Sequence, residues 1–182
     1  MKKPRLLLHV CCAPCAAHAA KTMSEDWEVT LFFSNSNISP PEEYERRLGE
    51  ARKLAVACGA PLVEDAHDHA GWLRAVAGFE REPEGGARCE RCFAYNLARA
   101  ARFAAGHGFD AFTTTLSVSP HKNSSAIFRA GTGFGGFLEA DFKKRDGFRK
   151  SIALARELGL SRQDYCGCEF SLRRKEPARV RD

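Results

Sequence analysis

Cysteine carries most of the reactive chemistry available to this sequence of 182 residues. Seven of the eight cysteines lie in three tight groups that are far apart along the chain. Thiolates bind metal ions and act as redox nucleophiles, so grouped thiols indicate a metal site or a redox site. Cys58 stands alone and is expected to be a small buried hydrophobe. The three groups are Cys11-Cys12-x-x-Cys15, Cys89-x-x-Cys92 and Cys166-x-Cys168.

The spacing of the thiols leaves three interpretations open. Cys12 and Cys15 flank Ala-Pro between an expected strand and an expected helix, as in a thiol-disulfide oxidoreductase. A structural zinc ion could take the four thiols of the second and third groups, in a zinc-stabilised nucleic-acid-binding module without redox activity. An iron–sulfur cluster with a neighbouring metal uses thiols from all three groups, and the spacing favours it for that reason.

Length and composition exclude several classes of protein. Apolar residues make up 44% of the chain, charged residues 28%, and there are 13 Phe, which excludes a disordered or fibrous chain. The apolar run at 6–10 is too short for a signal peptide, and no run approaches the roughly 18 apolar residues of a membrane span. We therefore expect a cytoplasmic protein with no membrane partner, in which thiols stay reduced.

Short apolar runs alternate with helical patterns along the chain, which predicts an α/β fold with a mostly parallel sheet. No repeat or clean boundary divides the chain, so a single domain is expected. Strands are expected at 5–10, 28–33, 61–65 and 109–118, with a weaker candidate at 137–140. Helices are expected at 16–23, 42–58, 88–105 and 147–158.

Two of the polar motifs follow directly on expected strands. Residues 11–15 come after the first strand and residues 117–124 after the fourth. Ligands of parallel sheets bind beyond the carboxyl ends of the strands, and at the switch point of a doubly wound sheet these two strands could be neighbours. The sequence therefore predicts that the first cysteine group lies at a ligand site.

The net charge of +5 is confined to the C-terminal part of the chain. Residues 1–140 contain 16 basic and 16 acidic side chains, whereas residues 141–182 contain 12 basic and 7 acidic ones. A basic segment of this kind is either a solvated helix with a loose tail or a surface for a polyanion such as a nucleic acid.

Four motifs, taken together and in order, resemble those of the QueH-type epoxyqueuosine reductases. They are LHVCCAPC at 8–15, CERCF at 89–93, TTLSVSP at 114–120 and RQDYCGC at 162–168. NISP at 37–40 and DFKKRDG at 141–147 extend the resemblance, which ends near Leu172. The resemblance therefore implies a domain at 1–172 followed by a basic C-terminal tail at 173–182. It implies a Rossmann-like fold of the nucleotide-hydrolase type with helices on both faces of the sheet.

The resemblance also implies an activity. QueH-type enzymes carry out the last step of queuosine biosynthesis, in which the epoxide of epoxyqueuosine at the wobble position of tRNA is reduced to an alkene. They do so without cobalamin, using a [4Fe-4S] cluster beside a mononuclear metal, here expected to be iron or zinc. The partners implied are the modified tRNA and a one-electron donor such as a ferredoxin or flavodoxin.

The resemblance also implies which residues bind the metals, each assigned by its place in a matching motif. Cys15 is a further candidate, at a position that is not a thiol in every member of the family and where a carboxylate can stand; the alternative is that Cys15 is a spectator. The sequence does not divide the thiols between the two metal centres. The six ligands implied are Cys11, Cys12, Cys89, Cys92, Cys166 and Cys168.

Reduction of an epoxide also needs proton donors close to the metals, and the sequence offers four. They are Tyr165, Asp164, His9 and His121, although each also has a structural interpretation as a turn, core or loop residue. Gly167 is expected to be required by the tight turn that brings two thiolates to one centre.

The basic segment supplies candidates for tRNA binding. Its cations suit the phosphates of an anticodon loop, and nearby Phe142, Phe148 and Phe93 could stack under bases or pack in the core. The candidate cations are Lys143, Lys144, Arg145, Arg149 and Lys150.

Overall fold

The computed structural model describes residues 2–172 and contains a four-stranded, fully parallel sheet with the order β3-β2-β1-β4. The strands are β1 (Arg5–His9), β2 (Glu28–Phe33), β3 (Leu62–Glu64) and β4 (Ala111–Thr114). β1 is central, with Leu8 facing Leu31 of β2 in register on one side and Thr113 of β4 on the other. The predicted α/β fold with neighbouring first and fourth strands is confirmed.

Helices cover both faces of the sheet, as expected for strands that are apolar almost throughout. Successive residues of β1 point to opposite faces. Leu6 and Leu8 therefore enter one core with α1 (Ala13–Met23), α2 (Pro41–Cys58) and α6 (Gly147–Glu157). Leu7 enters the other core, against α4 (Ala87–Gly106) and α5 (Ser124–Thr132). Two short helices complete the described chain, α3 (His69–Ala75) and α7 (Glu169–Leu172).

The helix boundaries follow local chemistry, although α1 begins at Ala13 and not at the predicted residue 16. Pro14 lies in the first turn of α1, where its missing N–H costs nothing. α2 ends at Gly59, which takes the left-handed conformation with φ 63°. α3 and α5 were not predicted, and each is capped by a side chain: Asp68 accepts from Gly71 N, and Asn123 accepts from Ser125 N and Ala126 N.

The fourth and fifth strands differ from the prediction. β4 ends at Thr114, where the chain tightens into a 3₁₀ helix, Thr115–Val118, and the Thr114 hydroxyl accepts from Leu116 N. The candidate strand at 137–140 is absent, and only a single parallel bridge pairs Phe137 with Phe112. The segment leaves the sheet because Ser117 Oγ donates to the carbonyl of Ala140 and turns it towards the 3₁₀ helix.

Within residues 2–172 no helix has the length and apolar character needed to cross a membrane. The predicted basic tail, 173–182, lies outside the described residues.

Candidate metal centre

The first cysteine group lies at the carboxyl end of β1, at the N-terminus of α1. Cys12 is the residue that precedes the first turn of this helix, and Cys15 lies within that turn. Cys11 N donates to Thr115 Oγ1 at 3.0 Å, which ties the group to the 3₁₀ helix that follows β4. The two segments predicted to meet at the edge of the sheet therefore do so through a direct hydrogen bond.

The Sγ atoms of Cys11, Cys12 and Cys15 all lie within 4.8 Å of one another. Hydrogen bonds from Cys12 and Cys15 hold the pKa of Cys11 well below its usual value. The Cys11 sulfur in turn raises the pKa of Cys12 to about 12 and that of Cys15 well above its usual value. The three thiols thus resist ionising together unless a cation joins them, as expected of a metal site. We call them the thiol triad.

The other four clustered thiols line a second site, which we call the four-thiol pocket. Cys89 and Cys92 lie on the first two turns of α4, and Cys166 and Cys168 lie in the turn that precedes α7. Burial raises the pKa of Cys92, and the negative sulfurs of Cys166, Cys168 and Cys89 raise it further, whereas the nearby indole N–H of Trp72 opposes the rise. The four sulfurs are close enough to interact electrostatically.

A large cavity of about 660 Å³ joins the two groups. The whole thiol triad lines it, and so do Cys92 and Cys166, which also line the four-thiol pocket. The structure therefore brings five of the seven clustered cysteines to one cavity, and Cys89 and Cys168 to an adjoining pocket that shares Cys92 and Cys166 with it. Cys58 lies outside both, partly buried against the core at the end of α2.

The Cys166-Gly167-Cys168 turn, which we call the CGC turn, is held by backbone and side-chain contacts. Ser39 N donates to the Gly167 carbonyl at 2.9 Å, and Tyr165 Oη donates to the Ser39 carbonyl at 2.7 Å. Gly167 has φ 127°, and a Cβ there would lie 3.0 Å from Nη1 of Arg47. Both its conformation and its surroundings require glycine, as the sequence predicted.

The proton-donor candidates occupy different places. Asp164, Tyr165 and His121 line the large cavity. His9 is fully buried within β1, where Nδ1 pairs with Thr114 Oγ1 at 2.8 Å and Nε2 with the Ser34 carbonyl at 2.9 Å. Burial lowers its pKa, so this imidazole is held neutral between two fixed partners.

The basic segment reaches the rim of the same cavity. Phe148 and Ile152 of α6 line the cavity, and Arg149 and Lys150 next to Phe148 are exposed. Lys143 Nζ donates to the carbonyl of Lys122 at 2.6 Å, and Arg149 pairs with Asp146 at 2.7 Å. Lys144 and Arg145 are exposed in the turn that precedes α6.

Sequence reasoning missed three cations of the site. Lys122 lines both hollows, and the negative sulfurs, Cys166 foremost, raise its pKa so that the ammonium stays charged. Arg88 lines the four-thiol pocket, and Arg47 supports the CGC turn. Only Lys122 carried a signal, its place in the polar motif after the fourth strand. A buried arginine has no distinctive spacing.

The residues present fit two different metal groups. A single ion with bonds of about 2.3 Å to sulfur places its ligands roughly 4 Å apart, close to the spacing within the thiol triad. The triad is the only set of three or more His, Cys, Asp or Glu ligands in residues 2–172 that is so compact. The four thiols of the four-thiol pocket form no equally compact set within residues 2–172, and four thiolates are the number that an iron–sulfur cluster takes.

Orphaned donors around the four-thiol pocket agree with an anionic occupant. Trp72 Nε1, Arg88 Nε and Arg88 Nη2 are buried and have no hydrogen-bond partner. Both residues line this pocket. Buried N–H groups in native proteins are almost always satisfied, so these point to an acceptor that belongs in the pocket.

Comparisons with known proteins agree with this geometry. A family model described as "Epoxyqueuosine reductase QueH" matches residues 6–174. The chain is 37% identical over 180 residues to epoxyqueuosine reductase QueH of Streptococcus pyogenes serotype M1, covering 93% of this chain and 71% of that one. It is 36% identical over 188 residues to epoxyqueuosine reductase QueH of Thermotoga maritima, covering 96% of this chain and 95% of that one.

Among solved structures, the fold is similar to the U34-tRNA thiolase NcsA from Methanococcus maripaludis with its [4Fe-4S] cluster. The TM-score is 0.62, and the match covers 94% of this chain and 62% of that one. At 11% sequence identity the likeness concerns the fold alone.

Proposed function

The chain belongs to the epoxyqueuosine reductase QueH family, and on that premise we propose that it reduces epoxyqueuosine in tRNA to queuosine. The observation that carries the proposal is the convergence of seven thiols from three distant segments on a cavity and an adjoining pocket that share Cys92 and Cys166. This arrangement is not needed to stabilise a chain of this length, so it points to chemistry.

The reaction defines what the hollow must supply. Converting the epoxide to an alkene breaks both C–O bonds, consumes two electrons and two protons, and releases the oxygen as water. Side chains can supply the protons but not the electrons. An iron–sulfur cluster, when bound, supplies electrons one at a time, and an adjacent metal offers Lewis acidity to an oxygen.

The geometry supports a division of the thiols that the sequence left open. We assign the [4Fe-4S] cluster to the four-thiol pocket of Cys89, Cys92, Cys166 and Cys168, and the mononuclear iron or zinc to the thiol triad. The compact spacing of the triad suits one ion, and the four-thiol pocket offers the four thiolates that a cluster takes. Cys15 thereby becomes a ligand of the mononuclear metal.

The remaining walls of the large cavity suit the substrate. Tyr165 and Asp164 lie in the wall beside the CGC turn, and His121 lies at an exposed position, so all three stay proton-donor candidates. Lys122 adds a half-buried positive charge that lines both hollows, where negative charge develops on the departing oxygen. His9 is a weaker candidate, because both ring nitrogens have partners within the fold.

The tRNA would approach along the basic segment. Arg149 and Lys150 flank the cavity wall formed by Phe148, so phosphates bound by these cations would place the wobble nucleotide at the mouth of the hollow. Modifying enzymes take their target base out of the stack and into a pocket, and a cavity of about 660 Å³ has room for one nucleoside. A ferredoxin or flavodoxin remains the expected one-electron donor.

The experiment is an anaerobic incubation of the iron-loaded protein with epoxyqueuosine-containing tRNA and dithionite, followed by nucleoside analysis. We expect the wild-type chain and Cys58→Ser, the matched control outside the hollow, to form queuosine. Cys92→Ser should form none. A fully loaded wild-type protein that leaves epoxyqueuosine unchanged would contradict the proposed activity and leave the metal site standing.

A further inference from the structure

The buried donors without partners are concentrated at one place in the molecule. In the described part of the chain, every buried side-chain N–H group without a hydrogen-bond partner belongs to Trp72 or Arg88. Both side chains line the four-thiol pocket. Trp72 Nε1, Arg88 Nε and Arg88 Nη2 make no hydrogen bond within the described chain, and the indole N–H lies close enough to the Cys92 sulfur to lower the pKa of that thiol.

Arg88 is a buried cation that forms no ion pair with a carboxylate of the described chain, although Glu84 lines the same pocket and the Cys89 thiol interacts with Arg88 electrostatically. Arg88 is 2% exposed, and it forms no ion pair within residues 2–172. Only Nη1 has partners, the backbone carbonyls of Glu80 and Glu82, and the guanidinium lies over the Phe170 ring. Burying a charge in this way is costly unless an anion compensates it, so the pocket beside Arg88 is built for negative charge.

Trp72 is held with its indole beside the pocket. It is fully buried and packs against Cys92 and Cys168. The ring stacks on His69 at 5.4 Å and lies 6.0 Å from Phe170, so its orientation is fixed from both sides. Two of the sulfur atoms already accept hydrogen bonds from other donors, since Gly85 N lies 3.2 Å from Cys89 Sγ and Asn96 Nδ2 lies 3.6 Å from Cys92 Sγ.

We propose that Arg88 and Trp72 donate hydrogen bonds to the sulfur atoms of the group held in the four-thiol pocket, and that they thereby set its reduction potential. The inference rests on the cluster assignment of the proposed function. Each added electron makes an iron–sulfur group more negative, so a nearby cation and N–H donors stabilise the reduced form. Both residues are positioning and tuning residues, because neither touches the tRNA substrate in this arrangement.

The test is the midpoint potential of the protein reconstituted anaerobically with ferrous iron and sulfide, titrated with dithionite and followed by electron paramagnetic resonance. Trp72→Phe keeps an aromatic ring and removes the indole N–H. Arg88→Lys keeps the positive charge and removes the planar set of guanidinium N–H donors. We expect both to shift the potential to lower values, and Arg88→Met, which also removes the charge, to shift it further. Trp27→Phe and the exposed Arg102→Lys are the matched controls and should not shift it.

Three outcomes overturn the inference. In the first, Trp72→Phe and Arg88→Lys both have the same midpoint potential and iron content as the controls and differ from them only in a lower thermal stability. A second is an electron paramagnetic resonance spectrum in which the reduced cluster of Trp72→Phe shows every coupling to exchangeable protons that the reduced wild-type cluster shows. The third is a wild-type chain that takes up zinc but no iron and sulfide. Lower potentials with no queuosine formed would support the inference and refute the proposed function.

Discussion

Nη1 of Arg47, on α2, donates a hydrogen bond of 3.0 Å to the carbonyl oxygen of Cys166 in the CGC turn. Nη2 of the same guanidinium donates to the Tyr165 carbonyl at 3.1 Å, and Nε pairs with Glu43 at 2.6 Å. Arg47 is 3% exposed. One side chain thus connects the second helix to the backbone of two successive residues at the third cysteine group.

We expect Arg47→Met to lower the free energy of unfolding by about 3 kcal/mol, because it removes buried hydrogen bonds from a charged donor. Iron bound in the four-thiol pocket should fall as well, since Cys166 and Cys168 lose their fixed positions. Thermal denaturation and iron analysis measure the two effects. Arg46→Met is the control, because its guanidinium is exposed and pairs only with Glu43 among the described residues. Equal iron content in both variants would contradict this role for Arg47.

Gly167→Ala tests the turn itself. Alanine would be forced to φ 127° with its Cβ 3.0 Å from Arg47 Nη1, at a cost of about 2 kcal/mol. We expect lower stability together with incomplete iron loading. Gly159→Ala separates strain from crowding, since Gly159 has φ 64° and no atom within 4 Å of an added Cβ. It should lose stability while keeping its iron.

Substitutions at Cys15 test whether this thiol is a metal ligand or a spectator. Cys15→Asp keeps an anionic ligand in the thiol triad, and Cys15→Ala removes it. We expect Cys15→Asp to retain the mononuclear metal and Cys15→Ala to lose it, with the cluster absorbance kept in both. Elemental analysis beside the visible spectrum measures the two centres separately. Full metal content in Cys15→Ala would remove Cys15 from the ligand set.

Asp65 should make stability depend on pH. Burial alone would raise the pKa of its carboxyl, but hydrogen bonds from Arg99 and Ser34 hold the pKa below its usual value. The stabilisation is therefore present at neutral pH and is lost as the pH falls through the lowered pKa of the folded chain.

We expect Asp65→Asn to lower the free energy of unfolding by about 1 to 2 kcal/mol at pH 7. The difference from wild type should vanish in strong acid, where both side chains are neutral. Denaturant titrations across pH measure this, and the exposed Asp26→Asn should match wild type throughout. A constant difference at all pH values would show that the charge on Asp65 is not the cause.

The basic segment predicts a salt-dependent effect on tRNA binding. Neutralising Arg149 and Lys150 together with glutamine should weaken affinity and make the plot of log affinity against log salt shallower by about 1 to 2 units. Filter binding at several salt concentrations provides the measurement. Arg74→Gln with Arg102→Gln removes the same charge from exposed positions on α3 and α4 and should change neither value. Unchanged affinity and slope in the first pair would refute a tRNA surface on α6.

The parts of the fold that follow from local patterns were predictable. The apolar run of β1, Pro14 at the start of α1 and Gly59 at the end of α2 each act on their immediate neighbours, so the sequence reveals them. The prediction of a strand at 137–140 was wrong because the path of this segment depends on a hydroxyl group that is distant in the sequence, that of Ser117.

The same reasoning applies to the candidate site. The grouped cysteines and Gly167 were visible because their spacing is short. Arg47, Arg88 and Trp72 were not, since each acts on groups brought close only by the tertiary fold. In the sequence, a buried arginine in a helix cannot be distinguished from an arginine on the solvent-exposed face.

The order of the thiols along the chain has a consequence for biosynthesis. On the assignment proposed above, the thiols of the mononuclear site are synthesised first, with the first strand and helix. Cys166 and Cys168 are synthesised after α6, long after Cys89 and Cys92, so the four cluster ligands are complete only once the CGC turn has been made. We therefore expect insertion of the cluster to follow synthesis of the CGC turn.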